Sequence, residues 1–110
     1  MYQKTLSRLE SKIKSTESLD DAQKDELLTI LAKLDDEVEE LSQTDTDSAT
    51  SIANFAQSGT HEASRKRTNR DLLETSISGL QKSIEGFEAS HPRLTQAVNR
   101  LTVFLSNMGI

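Results

Sequence analysis

The chain has 110 residues, no cysteine and a formal net charge of −5 at pH 7, with 34% hydrophobic and 28% charged positions. That length suits one domain, and the lack of cysteine removes disulfide frameworks, thiolate metal sites and cysteine nucleophiles. Leu, Ile, Val and Phe at 26 positions lift the chain out of the compositional range of disorder, while Ser and Thr at 25 positions keep the core narrow and favour thin helices over a broad sheet.

The N-terminal stretch Met1-Tyr2-Gln3-Lys4-Thr5 lacks the basic flank and apolar run of a signal peptide, and no segment approaches the ~20 apolar residues that span a bilayer. The expected location is therefore cytoplasmic, with no membrane partner. Tyr2, Leu6, Leu9 and Ile13 lie four, three and four apart, one face of a helix over about 2–16. The register slips at Ser18-Leu19-Asp20-Asp21, where Asp20 with Gln23 three residues later forms a capping-box pattern, so a second helix is expected over about 20–42. Leu27, Leu31, Leu34, Val38 and Leu41 form its seam.

Residues 42–68 hold ten Ser/Thr and only a weak apolar cluster at Ile52, Ala53, Phe55 and Ala56. A mobile polar linker over about 43–68 is the expectation, with at most one helical turn docked by Phe55. Leu73, Ile77, Leu80, Ile84 and Phe87 then mark a third seam over about 69–90, in which Gly79 is misplaced by roughly 1 kcal/mol relative to alanine. Leu94, Val98, Leu101, Leu105 and Met108 mark a fourth over about 92–108. Pro92 suits the first turn of a new helix and disfavours helical geometry at His91, which favours a turn at residues 90–92 over a kinked continuous helix. Gly109 is placed to stop the last helix, with Ile110 folding back onto Leu105.

The predicted fold is all-α: a four-helix arrangement of two hairpins joined by the polar linker. Each hairpin of about 40 residues is too small to hold a core alone, so the pairs pack on each other or on a second chain. Leu28, Ile30, Leu72 and Phe104 widen their stripes and Val103 lies off the fourth seam, a surplus that points to a homodimer or another helical partner.

The C-terminal stretch FEASHPRLTQAVNRLTVFLSNMGI, Phe87 to Ile110, resembles a family of small bacterial helical proteins known as a domain of unknown function. The likeness rests on Phe87-Glu88, Ser90-His91-Pro92, the Leu94 seam and Met108-Gly109-Ile110. It implies helices and a bacterial source, and brings no activity.

Chemical motifs are thin. His61-Glu62-Ala63-Ser64-Arg65 begins like a zinc-protease signature but has Arg65 where the second histidine must stand. Glu88-Ala89-Ser90-His91 matches half of a di-iron motif, Asp45-x-Asp47 starts a calcium loop that Ala49, Thr50 and Ala56 do not complete, and Ser11-Lys12-Ile13-Lys14 stands without the companions of a penicillin-binding site. No catalytic residue, cofactor, metal or small-molecule substrate is expected, and the chain reads as a non-enzyme.

Charge is unevenly placed. Residues 1–50 hold six Lys/Arg against thirteen Asp/Glu, a net −7, and residues 51–110 hold seven against five, a net +2. Asp36, Glu39 and Glu40 crowd the end of the second helix, and Arg65, Lys66, Arg67 and Arg70 crowd the start of the third, each cluster misplaced against its helix dipole. If those helices run antiparallel, the clusters face and neutralise each other. The favoured function is helical self-association or protein interaction, with these residues and Val103 as candidate contacts. The alternative is a small nucleic-acid-associated protein using Arg65 to Arg70, which the absence of a nearby aromatic and the acidic total disfavour.

Overall fold

A computed structural model describes residues 2–17 and 19–108, and the expected stop at Gly109 and Ile110 lies outside them. Five helices and no strand occur among the described residues: α1 (Tyr2–Ser15), α2 (Asp21–Ser42), α3 (Thr46–Ala63), α4 (Arg70–Ser83) and α5 (Pro92–Met108). The all-α expectation holds, with one helix more than the four anticipated.

The entry to α2 is built as its sequence indicates. Asp20 Oδ1 accepts from the Gln23 N–H at 2.8 Å, and Gln23 Oε1 accepts from the Asp20 N–H at 3.0 Å, so two otherwise unpaired donors are satisfied reciprocally.

The expected mobile linker at 43–68 is corrected: most of it is α3. Asp45 caps this helix by accepting from the Ser48 N–H at 3.0 Å and the Ser48 hydroxyl at 2.7 Å, bonds that hold its carboxyl below the usual range. The buried face of α3 is Ala49, Ile52, Ala56, Gly59, Thr60 and Ala63. That face keeps helical spacing but is made of small side chains. Its smallness lets α4 approach closely, and α3 with α4 is the most extensive helix pair in the molecule.

The third expected helix, 69–90, ends early. α4 stops at Ser83, Gly86 takes φ +91° and residues 84–91 form a loop tied by the His91 N–H donating to the Phe87 carbonyl at 2.7 Å. Ile84 is nevertheless buried and Phe87 packs against the core, which is why the apolar spacing runs past the true end. At residues 90–92 the turn is realised: Pro92 begins α5, and the His91 carbonyl accepts the first helical bond, from the Thr95 N–H at 3.2 Å.

Helix contacts set the topology. α2 touches α3 and α5, and α4 touches α3 and α5, so α2 to α5 close a four-helix ring with an added diagonal contact between α3 and α5. Successive members run antiparallel: Gly59 and Gly79 of α3 and α4 lie against Ser76 and Phe55 respectively, and α2 meets α5 with Asp36 near Arg93 and Gln23 near Asn107. α1 lies outside the ring, over α2 and α3. It is anchored by the buried Leu9 and Ile13 and by Lys24 Nζ donating to the Lys14 carbonyl at 3.0 Å. The polar-linked pair of hairpins is thus replaced by an up-down bundle of α2 to α5 with α1 docked on one of its grooves.

Candidate functional site

Because α3 adds a full crossing of the bundle, about 27 Å at the helical rise for its 18 residues, it carries the chain away from the end where α2 stops. Asp36, Glu39 and Glu40 therefore sit toward one end of the bundle, and Arg65, Lys66, Arg67 and Arg70 sit at the other. α2 and α4 make no contact, so the expected pairing of the two clusters is corrected. Arg65 instead pairs within its own turn, Nη1 to Glu62 Oε1 at 2.7 Å.

Of the acidic cluster, Asp36 shares a surface with other cations. Asp36 and Glu37 share a concave surface with Lys33 of their own helix and with Arg93 and Arg100 of α5. A second concavity continues it through Ile30 and Arg100 toward Glu26, Val103, Phe104 and Met108. Together they form one groove along the α2/α5 seam, in sections of about 330 and 500 Å³. Ile30 and Ala97 are buried in its floor, Phe104 and Met108 are half-buried, and Val103 stands 61% exposed on its wall.

Two regular stripes edge the groove. Gln23, Glu26, Ile30, Lys33 and Glu37 recur at three and four residues on α2, and Arg93, Gln96, Arg100, Val103 and Asn107 recur likewise on α5. Of these, Gln23 also closes the α2 capping box, and Ile30 and Val103 stand out in the sequence as surplus apolar positions. The others were visible as a second helical period beside each core seam, but polar residues at helical spacing look like an ordinary solvated face until two such faces are set side by side.

Other candidates are absorbed by structure. Glu88 Oε2 accepts from the Gly86 N–H at 3.0 Å, and the His91 ring stands edge-on to Phe87 at 5.7 Å with Nδ1 3.0 Å from Ser90 Oγ, so both serve the α4 to α5 turn. Asp45 is occupied as a cap. Lys12 Nζ lies against His61 Nδ1 and so joins α1 to α3, while His61 Nε2 is 3.9 Å from Glu62. Among the described residues no group of three His, Asp or Glu is arranged to hold a metal ion, and no helix is long and apolar enough to cross a membrane. Leu72 is 46% exposed on α4, away from the groove, and Glu39 and Glu40 are exposed and do not line it.

No curated protein and no solved structure matches the chain. A family model does match, over residues 27–110. Those residues include most of α2 and all of α3 to α5, so the matched unit is the four-helix ring, with α1 outside it. The likeness first seen at Phe87 to Ile110 thus extends across the bundle, and the chain belongs to the family described as Domain of unknown function (DUF4404).

Proposed function

We propose that this protein is a non-enzymatic helical interaction module whose contact surface is the α2/α5 groove. The observation that carries the reading is Val103, a β-branched residue 61% exposed on the wall of a groove whose floor is apolar and whose rims are charged. Such a surface has the make-up of a helix-binding seam: apolar contacts at three- and four-residue spacing, flanked by charges that select a partner.

The test compares two exposed apolar positions on different faces. Tagged protein is isolated from its native host under mild conditions, and the chains that accompany it, its own untagged copy included, are identified. Val103→Glu is expected to lose them and Leu72→Glu to keep them. Retention by Val103→Glu would overturn the reading.

The nucleic-acid alternative gains one point from the fold, since Lys66, Arg67 and Arg70 are not neutralised by the acidic end of α2. It predicts a gel shift with RNA or DNA that weakens steeply with salt and is abolished by Arg65→Glu, Lys66→Glu and Arg67→Glu together.

A further inference from the structure

We infer that the α2/α5 groove is filled by a second copy of this chain, related by a two-fold axis running parallel to the helices, so that α2 of each copy lies over α5 of the other. This rests on the interaction reading above and names its partner. The reasoning begins with the two stripes. That on α2 carries Glu26, Lys33 and Glu37 and is net acidic; that on α5 carries Arg93 and Arg100 and is basic. A face with one edge of each sign is complementary to itself.

Two symmetric ways of apposing that face differ in their contacts. An axis across the helices sets α5 on α5 and α2 on α2; centred on the shared level of Arg100 and Ile30, it opposes Glu26 to Lys33 but stacks Arg100 against Arg100. An axis along the helices keeps each residue at its own level and exchanges the edges. Arg93, which lies level with Glu37 inside each chain, then meets Glu37 of the other copy, while Arg100 comes level with Ile30 and Val103 with Glu26 of the other copy. The second arrangement lays the acidic edge on the basic one, separates the two Arg100 side chains and covers the exposed valine. α1 does not obstruct it, because α1 packs over α2 and α3 on a different groove. The apolar content is small, so the dimer is expected to be weak, reversible and sensitive to salt.

Charge-reversed single variants test this on the intact chain. Sedimentation equilibrium at low salt should show the parent dimerising, and Glu37→Arg and Arg93→Glu should each weaken dimerisation tenfold or more. An equimolar mixture of the two single variants should associate again. In the mixed dimer the introduced arginine faces the introduced glutamate, and the unaltered Arg93 of the first variant faces the unaltered Glu37 of the second. Effects within one chain cannot produce that rescue. Val103→Glu, at an exposed position, should also lose the dimer while keeping the parental helical signal. A parent that stays monomeric at about 500 μM in low salt, far above a micromolar constant, overturns the inference. It leaves the broader reading to the co-isolation test. Dimerisation by the single variants as strong as the parent's, or no rescue on mixing two variants that each unfold like the parent, overturns it as well.

Discussion

Two buried oxygens show how far single residues can stand from an optimum. Thr60 is fully buried on α3 and its hydroxyl has no hydrogen-bond partner, although its backbone carbonyl accepts from Ser64 Oγ at 2.6 Å. An unsatisfied buried hydroxyl costs about 1 to 3 kcal/mol, so Thr60→Val is expected to raise stability by about 1 kcal/mol in urea unfolding. A loss of stability would show that the hydroxyl is satisfied in solution. Asp35 differs in kind. Burial, then the carboxylates of Asp36, Glu39 and, from α1, Glu10, push its carboxyl above its ordinary 3.8, and Oδ1 has no partner. A folded-state value raised above the unfolded one contributes stability at low pH that is lost as pH rises through it. Asp35→Asn should therefore melt higher than the parent at pH 7, with the advantage shrinking as pH falls through the raised value toward 3.8 and levelling off below it. An advantage that is constant with pH would locate the effect elsewhere.

At the scale of elements, the junction of α3 and α4 explains a residue that the sequence alone makes look like an error. A Cβ at Gly79 would lie 2.3 Å from the Phe55 ring, so glycine is the space in which that ring rests. Phe55 is itself 37% exposed and can swing outward, at the expense of its packing. Gly79→Ala should consequently fail to deliver the roughly 1 kcal/mol of helix propensity it promises, while in a Phe55→Ala background the same change should stabilise by about that amount. Equal effects in both backgrounds would remove Phe55 as the cause. Four helical seams and the α2 cap were legible in the sequence because Leu, Ile and Val at three- and four-residue spacing have one physical reading. α3 was not, since Ala, Gly and Thr at the same spacing are also what a polar linker contains. The Asp45 cap was the missed local signal.

Across the whole molecule, α3 alters what the charge clusters mean. As a linker, residues 43–68 could fold the acidic and basic runs together; as a helix they hold those runs at opposite ends of a bundle 38 Å long. Hydrogen exchange separates the two cases. Amides of residues 50–62 should be protected at a level comparable to α2, and trypsin should cut first at Arg65, Lys66 or Arg67, which stand exposed in the connection between α3 and α4. Unprotected amides throughout 50–62 would restore the linker.

By itself the sequence determined that the chain is helical, where α2 begins, that Pro92 opens a helix, and that the C-terminal stretch carries the family likeness. These are local properties, set by side-chain period, capping chemistry and the fixed φ of proline. Only the tertiary structure decided that α3 is a helix, because a face of small residues gains stability through a close neighbour that the local sequence does not contain. Only it decided that Asp36 and Glu37 line one surface with Arg93 and Arg100, because which charges share a face depends on how many times the chain crosses the bundle before it returns.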